Sequence, residues 1–157
     1  MISTLHIKNI GIIDDLLIDL NDGFNVLTGE TGAGKTLIVG SLGIIAGGRF
    51  SKDMIRNGES FSYIEANIFC PESNISIDGN IVVSREVYLN GRNSCKVNGR
   101  LVTVNELKEI MSKIIDIHGQ QDSQNLLDSS KHIFYLDDFI GEEIKQVKSE
   151  KIYAITK

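Results

Sequence analysis

Eight consecutive residues, Gly29, Glu30, Thr31, Gly32, Ala33, Gly34, Lys35 and Thr36, fit G-x-x-x-x-G-K-[ST] at every fixed position. Such a run can grip a polyphosphate. Backbone N–H groups turned inward at a helix amino end supply donors, and the helix dipole favours an anion there. A Cβ at the glycines would block the tight turn or the approach of phosphate. Lys35 would reach the β- and γ-phosphate oxygens as a point charge, and the Thr36 hydroxyl would ligate Mg²⁺. The bland alternative is a glycine-rich turn that fits by chance, so the flanking elements decide.

Those elements have the required order of strand, loop and helix. The apolar run over 24–27 stops at Thr28 and Gly29, which predicts a buried strand feeding the loop. Ile38, Leu42, Ile45 and Ala46 then recur at helical offsets, and Gly47 with Gly48 supplies a stop. Ahead of the loop, 5–7 and 16–20 read as two antiparallel strands joined around Gly11. Beyond residue 60 the period changes to two. Ile64, Ala66, Ile68 and Cys70 share one face, followed by strands over 81–89 and 94–97, with Asn90-Gly91 and Asn98-Gly99 as reversals. Thr103 and Glu106 fit a capping box for a short helix carrying Leu107, Ile110 and Met111. Residues 114–117 read as a further strand, 118–125 as a polar stretch, and a last helix is predicted from about 129 through 139. From 142 onward the chain is charged, with Ile144, Val147, Ile152 and Ile155 spaced like a helix seeking a partner.

The composition suits one domain or part of one: 157 residues, 41% apolar. The net charge of -5 argues against a nucleic-acid binder that uses its whole surface, but leaves room for a local basic face. No run of 18 apolar residues marks a membrane span, and the alternating first ten residues do not form a signal peptide. The expected location is the cytoplasm. Cys70 and Cys95 lack a CxxC spacing and are expected as small apolar residues; His6, His118 and His132 lack metal-ligand spacing.

Several stretches together resemble one family. Leu5-His6-Ile7-Lys8-Asn9-Ile10 with Ile13-Asp14, the segment from Asn25 through the loop to Thr36, Leu42-Gly43 with Gly47-Gly48-Arg49, Ile55-Arg56-Asn57-Gly58, Val97-Asn98-Gly99-Arg100 and Asp116-Ile117-His118-Gly119-Gln120 are similar to the RecN family, bacterial double-strand-break repair ATPases related to the SMC proteins and to ABC-type ATPases. The resemblance implies an α/β P-loop NTPase of the ABC/SMC head type, here an amino-terminal half-domain with a mixed sheet and an antiparallel β subdomain. It implies residues 1–140 as the amino-terminal lobe of that head and 141–157 as the start of a coiled-coil arm. ATP and Mg²⁺ are the implied cofactors. Gln120 would be the Q-loop glutamine that helps hold Mg²⁺ and the attacking water, with Gln121 and Gln124 close enough to be alternatives for that role. The implied partners are DNA double-strand ends, a second copy through the heads, and a carboxy-terminal head half; the implied location is the bacterial cytoplasm at the nucleoid.

The departures matter as much. A Leu-Ser-Gly-Gly type signature is absent, and so is a hydrophobic strand ending in Asp-Glu that would supply metal ligand and general base. Phe134-Tyr135-Leu136-Asp137-Asp138 looks like such a strand, yet Ile133, Leu136 and Ile140 have helical spacing. Asp116-Ile117-His118-Gly119 fits a GTPase DxxG, but no Asn-Lys-x-Asp follows to recognise guanine, so adenine is expected. The chain is therefore expected to be an incomplete head, with weak ATP binding and negligible turnover alone. Its rivals are a self-contained small P-loop kinase or GTPase, with Asp116 or Asp137 as the acidic ligand, and a nucleotide-dependent interaction module docking through 142–157. Arg85, Arg92, Lys96 and Arg100 gather on the predicted hairpin, where they fit either a phosphate-backbone contact or a solvated face. By resemblance, Arg56 lies near the nucleotide or communicates with DNA.

Overall fold

The computed structural model describes residues 1–29 and 33–117, and Met1–Asp116 forms one unit. The expectations for Glu30, Thr31, Gly32 and everything from His118 onward, Gln120 and the 141–157 arm among them, concern residues outside the described ones.

Alternation is clearest in the middle of the sheet, along Phe61–Phe69 and Asn80–Tyr88. β1 (Ile2–Ile10) and β2 (Ile13–Asp19) form an antiparallel hairpin, with Ile7 opposite Leu16 and Lys8 opposite Asp15. β3 (Phe61–Phe69), β4 (Asn80–Tyr88), β5 (Asn93–Val97) and β6 (Arg100–Val102) extend it in the order β2-β1-β3-β4-β5-β6. Every neighbouring pair is antiparallel, so the parallel pairing of a mixed sheet is not found among the described residues. The β4–β5 connection is a three-residue turn in which Gly91 donates to the Tyr88 carbonyl at 2.9 Å, and Tyr88 donates to the Arg92 carbonyl at 2.9 Å.

One face of the sheet is dry. Leu5, Ile7, Ile64, Ile68, Ile81 and Val83 point there and meet Ile44 and Ile45 of α1 (Ala33–Ile45) and Leu107 and Met111 of α2 (Val104–Met111). Each fully buried side chain of this size contributes about 1.5–3 kcal/mol. The predicted face of α1 is turned slightly: Ser41, Ile44 and Ile45 are fully buried, while Ile38, Leu42 and Ala46 are half-buried. Ser41 satisfies its hydroxyl by donating to the Leu37 carbonyl at 2.7 Å. The predicted capping box at Thr103 and Glu106 is present, with both reciprocal hydrogen bonds.

Two predicted strands are corrected. Residues 24–27 form no strand, and Phe24 and Val26 are 92% and 62% exposed. An apolar run supplies hydrophobicity but not a ladder neighbour, and none of the six described strands pairs with it. Residues 114–117 are not a strand either: Ile114 and Ile115 donate back to the Met111 carbonyl and pack against the core as the tail of α2. Cys95 is buried in β5, whereas Cys70 falls just past the end of β3, half-buried; both thiols are free.

Candidate functional site

The eight-residue motif begins where an irregular segment meets α1. Asn25 ties that segment down: its amide donates to the Asn21 carbonyl at 2.8 Å, and its side-chain oxygen accepts from the Asn21 N–H at 3.1 Å. Gly29 follows with φ +154°, a conformation that L side chains rarely adopt. Ala33, Gly34, Lys35 and Thr36 make up the first turn of the 13-residue helix α1, with the Thr36 side chain exposed. The Lys35 ammonium folds back and donates to the Gly29 carbonyl, spanning the two ends of the motif. A Cβ on Gly29 would sit 3.6 Å from that ammonium. The described part of the motif thus brings together a cation, a hydroxyl and the positive end of a helix dipole.

Contacts at both ends hold α1 in place. Next to Thr36, Leu37 lies against the β1–β2 turn, where a Cβ on Gly11 would come within 2.8 Å of Leu37 Cδ1. Arg56 braces the same turn: Nη1 donates to the Ile12 carbonyl at 2.8 Å, and its backbone N–H donates to the Asn9 carbonyl at 3.0 Å. Arg56 is thereby linked through the turn to the start of α1.

At its far end α1 closes in a Schellman motif. Gly48 donates to the Gly43 carbonyl at 2.9 Å, Gly47 donates to the Ile44 carbonyl at 3.1 Å, and Gly47 has φ +89°. Lys108 of α2 passes so close that a Cβ on Gly47 would lie 2.7 Å from Lys108 Cβ.

Arg85 is the main correction to the sequence reading. As a candidate DNA contact it was expected at the surface, but it is 3% exposed on the core face of β4. Its guanidinium donates to the Ile44 and Gly48 carbonyls at 2.7 Å each and to Asn93 Oδ1 at 3.2 Å. It makes no carboxylate contact within ion-pair distance among the described residues; the negative end of α1 stabilises the charge instead. Burial lowers its pKa, but an arginine remains protonated in a protein. Burial likewise pushes the neighbouring Cys95 thiol up, against the opposing pull of Arg85, which makes it an inert core residue. Strand periodicity alone carried the signal for Arg85, since it shares parity with Ile81, Val83 and Val87.

The other basic candidates separate. Lys96 lies on the opposite face of β5, paired across strands with Ser84 and Leu101, and Arg100 opens β6. Arg92 sits at the β4–β5 turn with its guanidinium carbon 5.2 Å from the Tyr88 ring centroid. His6 pairs with Asp15 at 2.6 Å, and no group of three or more metal-ligand side chains occurs among the described residues.

A family model described as an AAA domain matches residues 4–155. The chain belongs to the AAA domain family. This AAA domain is similar to the DNA repair protein RecN of Bacillus subtilis, 38% identical over an alignment of 156 positions that covers 92% of this chain and 27% of that protein. It is also 38% identical to RecN of Halalkalibacterium halodurans over an alignment of 161 positions that covers 96% of this chain and 28% of that one. The chain thus spans about a quarter of the length of the curated relatives it matches. Among solved structures, the Smc head domain of Pyrococcus furiosus with an extended coiled coil, bound to the C-terminal domain of ScpA, matches with a TM-score of 0.74. It is 24% identical, covering 99% of this AAA domain and 45% of that chain. This likeness establishes the SMC-head fold expected for the chain, and the family implies nucleotide binding. The comparisons favour neither a self-contained kinase or GTPase nor a separate interaction module. No helix among the described residues is long and apolar enough to cross a membrane.

Proposed function

We propose that this chain is the P-loop lobe of a RecN-type DNA repair ATPase. It binds Mg-ATP through Gly29, Glu30, Thr31, Gly32, Ala33, Gly34, Lys35 and Thr36. The observation that carries the reading is the Lys35 ammonium folded back across the motif to the Gly29 carbonyl at the amino end of α1. The donor set fits the cofactor: a lysine ammonium at the loop suits polyphosphate oxygens, and an exposed hydroxyl in the first helical turn suits a hard metal ion. Mg²⁺ would be held by Thr36 and Gln120, and when bound it neutralises charge on the phosphates. Lys35 offsets further phosphate charge, the backbone N–H groups of α1 orient the triphosphate, and Gln120 positions the attacking water.

In the full-length protein, ATP would clamp two heads of a homodimer and couple that engagement to DNA in double-strand-break repair, in the bacterial cytoplasm at the nucleoid. The exposed apolar residues Phe24, Val26 and Leu27 support a head completed by another segment, because a lone lobe gains nothing by leaving them in water. A carboxy-terminal half would cover them and add the signature and the Asp-Glu pair. Residues 1–140 are the lobe in this reading, and 141–157 begin the arm.

Calorimetric titration with Mg-ATP tests it. Loss of a charge-assisted contact costs about 1.5–3 kcal/mol, so Lys35→Ala should weaken binding by roughly 10- to 150-fold. The chain alone should bind weakly and turn over negligibly. Robust, Lys35-dependent hydrolysis by this chain alone would refute the incomplete-head reading.

A further inference from the structure

We propose that the end of the sheet at the β4–β5 turn, carrying Arg49, Lys52 and Arg92, is a surface through which this lobe grips the phosphate backbone of duplex DNA. The proposal rests on the DNA reading above and adds a site to it. These are not the residues that sequence grouping selects, because two of the three come from the segment after α1, and Arg85 drops out.

Arg85 assembles the surface from beneath. Its one buried guanidinium bonds the Gly48 carbonyl at 2.7 Å and the Asn93 side-chain Oδ1 at 3.2 Å, so the backbone before Arg49 and the side chain after Arg92 meet at the same group. Lys52 completes the cluster: a Cβ on Gly91 would lie 3.3 Å from Lys52 Nζ, which places that ammonium against the turn that Arg92 leaves. All three cations are exposed. Among the described residues the ion pairs are those of His6 and Lys8 with Asp15, so no carboxylate within 4.0 Å neutralises Arg49, Lys52 or Arg92. The acids in the same segments keep their charge: Asp53 accepts from the Ser51 hydroxyl at 3.2 Å and Glu86 from the Tyr88 hydroxyl at 3.1 Å.

Preorganisation strengthens the case. The Arg92 guanidinium lies over Tyr88, whose ring stacks on Phe61 with centroids 5.6 Å apart. This ladder restricts a long side chain before any ligand arrives, reducing the entropy lost on binding. On a chain of net charge -5, these three exposed cations outnumber the two carboxylates of their own segments, Asp53 and Glu86. They are exposed at the surface, which suits the repeated phosphates of a duplex better than a single phosphate ion.

The test is fluorescence anisotropy of a labelled duplex with the full-length protein across a salt series. The variants are a triple, Arg49→Gln with Lys52→Gln and Arg92→Gln, and a comparison double, Lys96→Gln with Arg100→Gln. Each phosphate contact contributes about 0.9 to the slope of log affinity against log salt, so the triple should flatten the slope by about 2–3 and lower affinity at least tenfold. Its thermal midpoint and Mg-ATP affinity should match wild type, and the double should change the slope less. A triple that binds duplex with the wild-type slope overturns the surface and leaves the DNA reading standing. A wild-type protein that binds no duplex, or that binds anionic phosphatidylglycerol vesicles instead, overturns both.

Discussion

Replacing Arg85 by methionine should destabilise the lobe out of proportion to the removal of one strand residue. The guanidinium makes three hydrogen bonds, two at 2.7 Å to the carbonyls of Ile44 and Gly48 and one at 3.2 Å to Asn93. Hydrogen bonds to a charged group contribute about 1.5–3 kcal/mol each, and orphaned buried acceptors cost about 1–3 kcal/mol. Against this stands the desolvation of a cation that is 3% exposed, which the methionine avoids. The balance is a loss of about 3 kcal/mol. At roughly 4 °C per kcal/mol for a domain of this size, the thermal midpoint should fall by about 12 °C. Arg85→Lys should recover only part of the loss, because an ammonium keeps the charge but cannot reach three acceptors with a planar fork. Urea unfolding followed by circular dichroism, read with midpoint and slope together, measures this. If Arg85→Met remains within 0.5 kcal/mol of wild type with an unchanged slope, the latch between α1 and the β4–β5 hairpin is not a stabilising element.

Gly47→Ala should cost about 3 kcal/mol in the same assay, because φ +89° and a 2.7 Å approach to Lys108 both oppose a Cβ. Thr103→Ala should cost about 1 kcal/mol through loss of the cap. The Glu106 carboxyl is held below its ordinary value of 4.5, first by the Thr103 backbone N–H and then by the Thr103 hydroxyl. A depressed carboxyl stabilises above its unfolded pKa and loses that contribution as pH falls through the folded one, so the advantage of wild type over Glu106→Gln should fade below about pH 4.5. Val26→Ser should leave this chain within about 0.5 kcal/mol of wild type, since the side chain is 62% exposed, yet destabilise the full-length protein measurably.

Local signals were read well from the sequence. The capping box needs only Thr103 and Glu106, and the stop at Gly47 and Gly48 needs only a left-handed residue, so neighbouring residues carry the whole message. Period-two alternation fixed β3, β4 and β5, because one side of each strand is dry. What failed depended on distant partners. Residues 24–27 carry the hydrophobicity of a buried strand, but no described strand pairs with them. Arg85 reads as a surface cation because its acceptors lie 37 and 41 residues away in sequence, on α1 and its cap. Of the candidate site, the motif and its helix were legible, whereas the brace from Arg56 through Ile12 to the turn beside Leu37 needed the folded β1–β2 hairpin to be visible.

In the proposed function the segment from Gly29 to Thr36 folds its amides around a polyphosphate. The most direct measurement is a ¹H–¹⁵N spectrum of the labelled protein titrated with Mg-ATP into the millimolar range. The amides of Gly29, Gly34, Lys35 and Thr36 should shift together and saturably, and Lys35→Ala should abolish or greatly weaken the response. Amides that stay still at saturating Mg-ATP, or shifts confined to other parts of the lobe, would contradict the account.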